Sequence, residues 1–359
     1  MDKYKIASFD LATEDVYEII RRQLPSNFEL VTLETGTLED RIEKARDADF
    51  IIAATGSIPT EAIKAAKKLK MIQQQGVGFD KTDVELATKL GIEVCITPEG
   101  TSVGVAEHVI LLILAVYKKL IKISNDMYEG KFPMWDYRTG CYEIYGKTIG
   151  LVGFGRIARE VALRLRGFEP KIIFYDNYVS LSKAEQEELN VTQISCLDKL
   201  VELSDIVSIH VPSNNETRGM INEDFFKKMK RNSILINTAR GDLINEKDFF
   251  NAINNNIIAG AGIDVYPNEP LPPNNPYIKL KNVTLTPHVS AGTVDALKTK
   301  IDHVCANINR YINGEKTLHS LNRDKIKDKL ELSFVNAEGW ISNKQWVSIL
   351  KLQSLVKNT

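Results

Sequence analysis

The segment that most constrains this chain is 147–176, KTIGLVGFGRIAREVALRLRGFEPKIIFYD. An apolar run over 148–152 leads into Gly153-Phe154-Gly155-Arg156-Ile157-Ala158, then a helical pattern, then a second apolar run over 172–175 that ends on Asp176. Strand, glycine turn, helix and strand in that order make a dinucleotide-binding βαβ unit. Gly153 permits the tight turn, and Gly155 lets the backbone approach a pyrophosphate. Ala158 stands where a third glycine is usual and is still small enough for the helix to pack on the strand. The helix opening at Arg156 and Ile157 presents free N–H groups to the phosphates. Asp176, about 20 residues past the turn, is placed to accept hydrogen bonds from the adenosine ribose. Its charge would repel a 2′-phosphate, and Asn177-Tyr178 supply no arginine to receive one, so the expected cofactor is NAD.

A chain of 359 residues exceeds the size at which a single core stops growing, so two domains are expected. A net charge of −1 gives no global field for nucleic acid or membrane. Cys95, Cys141, Cys196 and Cys305 lie far apart, with no paired metal-binding spacing, and no metal is expected. Cys95 falls in a strand-like run and is read as a small buried hydrophobe. The N-terminus carries no long apolar segment, and the most apolar run, 109–117, is too short to span a bilayer. A cytoplasmic protein is expected. The apolar run reads as a buried or subunit-facing helix, and a two-fold homodimer is expected from it.

Strand signals over 6–9, 30–33, 50–53, 71–74 and 93–97 alternate with helical stretches over 14–24, 38–48, 60–69 and 82–90. A long helix is expected over 102–120, then an irregular aromatic connector over 126–145 with Trp135 and Tyr137. Later strands are expected at 206–211, 233–238, 259–264 and 283–286, with helices at 197–203, 223–229 and 246–253 and a final helix over 293–313. This rhythm implies α/β architecture: two doubly wound parallel-sheet domains, a Rossmann-type NAD domain over 102–293 and a flavodoxin-like substrate domain over 1–101 and 294–318. Two crossings between them would leave an interdomain cleft for ligands. A tail over 319–359, with Trp340 and Trp346, carries no interpretable pattern.

Three segments close predicted strands: Asn237-Thr238-Ala239-Arg240-Gly241, Asp264-Val265-Tyr266-Pro267-Asn268-Glu269-Pro270 and Thr286-Pro287-His288-Val289-Ser290-Ala291-Gly292. Carboxyl ends of such strands face the ligand crevice, so Arg240, Glu269 and His288 are expected to converge beside the nicotinamide. Together with Gln75-Gly76-Val77-Gly78-Phe79-Asp80, Val105-Ala106-Glu107-His108 and the run from Ser204 to Pro212, these segments resemble the D-isomer-specific 2-hydroxyacid dehydrogenase family over roughly 45–316.

Hydride transfer at C2 of a hydroxy acid requires a proton to leave or join its oxygen. Imidazole titrates near working pH, so His288 suits that task. Glu269 can bond the other ring nitrogen and fix the tautomer. Arg240 offers a planar fork for the substrate carboxylate and the C2 oxygen.

The resemblance adds further roles. It implies that backbone N–H groups of Val77 and Gly78 grip the substrate carboxylate and that Asp264 contacts the nicotinamide amide. It also implies that His210, Val211, Pro212, Thr238, Ala239, Arg240, His288, Ser290 and Ala291 line the cofactor site. His108 reads as a packed structural residue. The loop 53–57 lacks the arginine that phosphoglycerate enzymes use there, and a neutral loop suits an unphosphorylated acid. The expected activity is NAD-dependent interconversion of a small D-2-hydroxy acid and its 2-keto partner, of the glycerate–hydroxypyruvate, glyoxylate, D-lactate or 3-phosphoglycerate class. The alternatives are an NAD(H)-sensing co-regulator of the same fold and a dehydrogenase for another small anion.

Overall fold

The computed structural model describes residues 3–326; Trp340 and Trp346 lie outside them. The chain divides into two compact units. The first holds the described residues up to Gln75, then Phe79–Thr97, then the described chain from Val304. The second holds Gly76–Gly78 and Pro98–His303.

In the first unit the elements run β1 (Tyr4–Ser8), α1 (Glu14–Gln23), β2 (Phe28–Thr32), α2 (Leu38–Arg46), β3 (Phe50–Ala53), α3 (Thr60–Ala65), β4 (Met71–Gln74), α4 (Val84–Lys89) and β5 (Glu93–Cys95). The sheet is parallel throughout, in the order β2-β1-β3-β4-β5. Strand alternation divides its apolar side chains between two faces. Ile51 and Ala53 pack with Ala45, Ala62 and Ile63 on one face. Phe50 and Ile52 pack with Met71, Cys95, Val304 and Ile308 on the other. Cys95 is fully buried, and burial pushes its thiol up to about 12, so it packs as a hydrophobe, as expected.

The second unit continues with α5 (Ser102–Tyr117), α6 (Leu120–Tyr128), β6 (Thr148–Val152), α7 (Arg156–Leu165), β7 (Lys171–Tyr175), α8 (Lys183–Leu189), β8 (Thr192–Gln193), α9 (Leu197–Leu203), β9 (Ile206–Ile209), α10 (Glu223–Lys228), β10 (Ile234–Asn237), α11 (Glu246–Asn254), β11 (Gly260–Ile263) and β12 (Val283–Leu285). A last helix, α12 (Val294–Ile312), starts here and ends in the first unit. The seven strands are parallel in the order β12-β11-β10-β9-β6-β7-β8. Ile149, Leu151, Ile206 and Ile236 face one core, and Val152, Val207, Leu235 and Ile263 the other. Both cores are covered by helices, as a parallel sheet requires.

Several expectations are corrected. The stretch 102–120 is two helices, because Lys119 takes a left-handed φ of +52° and ends the regular backbone. The expected connector is helical as far as Tyr128. The helix expected over 60–69 stops at Ala65. Helix α8 was not expected, although Ser182 and Glu185 form a capping box at its start.

Residues 317–322, expected to lie at or beyond the end of the substrate domain, are tied into the first unit. Asn307 Nδ2 donates to Gln73 Oε1 at 2.7 Å, and Asn307 Oδ1 accepts from the Leu318 N–H at 2.7 Å. Asn322 Oδ1 accepts from the Val94 N–H at 2.8 Å, and its amide donates to the Ile92 carbonyl and Thr88 Oγ1. Asn322 is buried, so losing its amide strands a backbone donor and acceptor away from water. Replacing Asn322 with Leu is expected to destabilise the protein by about 2–4 kcal/mol, read as a lower urea midpoint.

Candidate active site

The site in the second unit is built from loops at the carboxyl ends of parallel strands. Strand order reverses about β6: β7 lies on one side and β9 on the other, which is where such sheets receive ligands. Gly153 follows β6 with φ +90°. A Cβ there would lie 2.7 Å from the His210 carbonyl oxygen at the end of β9, so the turn admits no side chain. At Gly155, the N-cap of α7, an added Cβ would meet nothing within 4 Å, and no side chain caps the helix. Ala158 is fully buried in the core beneath. An open approach to backbone, uncapped N–H groups at Arg156 and Ile157 and a small residue at Ala158 fit a dinucleotide pyrophosphate.

Asp176 does more than the sequence suggested. Its Oδ2 accepts from the Phe154 N–H at 2.7 Å, and its Oδ1 from the N–H groups of Tyr178 and Val179 at 2.7 and 2.9 Å. The carboxylate ties the glycine turn to the end of β7. A carboxylate has about four acceptor positions, so one remains for a ribose hydroxyl. His210 is bonded through Nε2 to Ser208 Oγ at 2.9 Å. Burial pushes it down to about 4, so it is neutral at pH 7. Val211 and Pro212 follow it on the same loop.

Arg240, Glu269 and His288 follow the adjacent strands β10, β11 and β12. Buried Asn237 holds the first loop, accepting from the Ala239 N–H at 3.0 Å and donating to the Arg240 carbonyl at 2.8 Å. Thr238 is buried beside it, and Arg240 Nη1 donates to the Ala239 carbonyl at 2.7 Å. A Cβ on Gly241 would sit 2.0 Å from the Tyr266 carbonyl carbon, so the Arg240 loop lies directly against the backbone of the Glu269 loop. Tyr266 in turn bonds both neighbours. Its hydroxyl donates to the Thr286 carbonyl at 3.0 Å, and its N–H to Glu269 Oε1 at 3.1 Å.

His288 Nδ1 lies 2.9 and 3.1 Å from the two Glu269 oxygens. That contact fixes Nδ1 as the protonated position facing Glu269 and leaves Nε2 for a substrate. His288 has φ +52°, and its N–H donates to the Asp264 carbonyl at 2.7 Å. Asp264 is completely buried. Its carboxylate accepts from the N–H groups of Val289 and Ser290 at 3.0 and 3.1 Å and from the Thr286 hydroxyl at 2.6 Å. The resemblance implies a cofactor contact for Asp264; what the structure shows is a carboxylate that organises the turn carrying His288. Ser290 is buried, and Ala291 packs against the core that contains α5.

Val77 and Gly78 follow β4. Val77 is exposed, and a Cβ on Gly76 would meet nothing within 4 Å. Asn237, Gly241, Tyr266 and Thr286 were not singled out from the sequence. The available signal was a polar residue or glycine placed where an apolar strand stops.

Among the described residues no helix is long and apolar enough to cross a membrane, and no group of three metal-ligating side chains is present. Residues 110–290 match the family described as D-isomer specific 2-hydroxyacid dehydrogenase, NAD binding domain. The chain is 37% identical over 290 residues to a glyoxylate reductase of Korarchaeum cryptofilum, covering 80% of this chain and 86% of that one. It is 37% identical over 268 residues to a D-3-phosphoglycerate dehydrogenase of Archaeoglobus fulgidus, covering 74% of this chain and 50% of that one. The crystal structure of the NAD-dependent formate dehydrogenase from Staphylococcus aureus in complex with NAD is similar at a TM-score of 0.78 and 27% identity, covering 88% and 98% of the two chains. A match of this extent, on a sheet whose glycine turn fits a dinucleotide, places the chain in the D-isomer-specific 2-hydroxyacid dehydrogenase family, as an NAD-dependent oxidoreductase of a small 2-hydroxy or 2-keto acid.

Proposed function

We propose that the chain interconverts a small unphosphorylated D-2-hydroxy acid and its 2-keto acid, of the glyoxylate or hydroxypyruvate class, with His288 as acid and base. The observation that carries this is the His288–Glu269 pair, which leaves Nε2 as the exchangeable proton site. NADH, when bound, supplies the hydride that reduces C2. In reduction, Nε2 gives its proton to the C2 oxygen as the carbonyl becomes a hydroxyl, and Glu269 stabilises the imidazole orientation throughout. Arg240 holds the carboxylate bidentately and polarises the C2 oxygen, and the N–H groups of Val77 and Gly78 bind the carboxylate as well.

The preference for an unphosphorylated acid is supported by Asp10. In the first unit the strand order reverses about β1, between β2 and β3. The N–H groups of Ala54, Thr55 and Gly56, after β3, all donate to the Asp10 carboxylate, at 2.6, 2.9 and 2.8 Å. Three successive N–H groups would otherwise make an anion site. Here the chain's own carboxylate fills it. Arg41 Nη1 is spent on the carbonyls of Phe9 and Ser57. Relatives named glyoxylate reductase favour this reading, and relatives named D-3-phosphoglycerate dehydrogenase, at the same level of identity, do not.

One side of α5 packs on β10, β11, β12 and α7, while Val103 and Leu111 of the same helix stay exposed. The homodimer is proposed on those side chains together with the exposed Phe132, Met134 and Trp135 of the connector. Sedimentation should show a dimer that Trp135→Asp weakens.

His288→Ala is expected to lower kcat for NADH-dependent reduction of glyoxylate and hydroxypyruvate by about 10²–10⁴-fold with NADH binding retained. Undiminished turnover would overturn the assignment, and tight NADH binding by the unaltered protein without turnover of any 2-keto acid would favour a sensor. Hydroxypyruvate is expected to exceed its 3-phosphate ester in kcat/KM by about tenfold or more. Asp10→Ala should narrow that gap, and an unaltered ratio would remove Asp10 from the argument.

A further inference from the structure

Resting on the acid–base role proposed above for His288, we propose that His108 is a positioning residue for that histidine, acting through the Thr286 hydroxyl and the Asp264 carboxylate. His108 belongs to α5, 178 positions before Thr286, and read from the sequence as packing alone. Its side chain is 12% exposed, and Nε2 lies 3.0 Å from Thr286 Oγ1.

The direction of each bond in this chain follows from counting protons. Asp264 ionised has no hydrogen to give, so the Thr286 hydroxyl, 2.6 Å from Oδ1, spends its single proton there. Only lone pairs of Oγ1 remain for His108. The ring must therefore carry a hydrogen on Nε2 and donate it. Burial pushes His108 below the usual histidine range, with Asp264 opposing, which favours the neutral ring in the Nε2–H tautomer. Asp264 Oδ1 is 3.6 Å from the same Nε2, so the imidazole also faces the carboxylate.

Asp264 is the hub on which the turn after β12 is wound. Its two oxygens take the N–H groups of Val289 and Ser290, and its carbonyl takes that of His288. His288 sits between Thr286 and those two residues in left-handed backbone, a conformation that persists only where its surroundings hold it. A hydroxyl donating to Asp264 while accepting from His108 has one orientation. Without the imidazole it can turn, and it gives Oδ1 a weaker bond. Packing supports the same geometry: a Cβ on Gly104, one turn earlier on α5, would lie 3.2 Å from the Ser290 carbonyl oxygen. The helix thus seats against the turn and places one donor at its root.

The test is steady-state reduction of hydroxypyruvate by NADH. His108→Phe removes the donor and keeps a ring. It should lower kcat by about tenfold, while KM for the keto acid shifts by less than about threefold, because displacing the proton donor acts on the chemical step. His108→Gln, whose amide N–H can reach Oγ1, should recover most of the loss. Thr286→Val should reproduce it, and the double variant His108→Phe/Thr286→Val should be no slower than either single one, because both break the same link. If His108→Phe does not fold, His108→Asn replaces it, since its amide is one carbon shorter. Wild-type kcat in His108→Phe, no recovery in a folded His108→Gln, or losses that multiply in the double variant would each overturn the proposal. Retained activity in His288→Ala would instead remove the acid–base role on which it stands.

Discussion

A carboxylate withdrawn from water must be met by hydrogen-bond donors, and most of the site's geometry follows from how Asp264 is met. Its donors come from the turn that begins at Thr286 and ends at Ser290. Because those residues must wrap one buried group, the backbone at His288 is forced into the left-handed region and its ring is delivered to Glu269. The cost of leaving such a group unsatisfied is about 1–3 kcal/mol per lost partner, and more for a charge, so the turn is held tightly. The same logic recurs at Asp176, which gathers three N–H groups around the glycine turn, and at Asp10 in the first unit. In each case an acidic residue shortly after a strand fastens a loop.

The two sheets share a design but differ at their reversal points. In the second unit the space beside Gly155 is open. In the first, a Cβ on Gly56 would meet the Phe9 carbonyl oxygen at 1.9 Å, so the corresponding loops are pressed together and locked by Asp10. A doubly wound sheet offers a ligand crevice by topology alone. Whether the crevice survives depends on a few side chains that either leave it empty or close it.

Much of this was legible in the sequence, for physical reasons. Buried parallel strands are short apolar runs, so β3, β6 and β9 stood out, and the residues that end such strands marked the site loops. The joint order of Arg240, Glu269 and His288 pointed to chemistry that each alone would not. Other features were hidden. Hydrophobicity does not register a single left-handed residue, so Lys119 was invisible and α5 ran into α6. The apolarity of α5 suggested a subunit face, and strands of its own sheet take up only part of it, leaving Val103 and Leu111 exposed. Polar ties such as His108 to Thr286 or Asn322 to Val94 join distant positions whose proximity is a product of the fold. The box at Ser182 and Glu185 was readable and shows that local signals of a short polar helix are easily passed over beside a strong motif.

The closure of the first sheet has a consequence for how the chain is made. Its β1–β5 are complete by Cys95, but Phe50, Met71 and Cys95 are covered by Val304 and Ile308, and the edge at β5 is bonded by Asn322. A ribosome adding 5–20 residues per second takes on the order of 10–40 s to travel from one to the other. During that interval the emerging sheet keeps a bare apolar face, while the intervening second unit has two apolar cores of its own. The amino-terminal part is then a late folder in spite of being synthesised first, and a nascent chain stalled before α12 presents the surface that holding chaperones recognise.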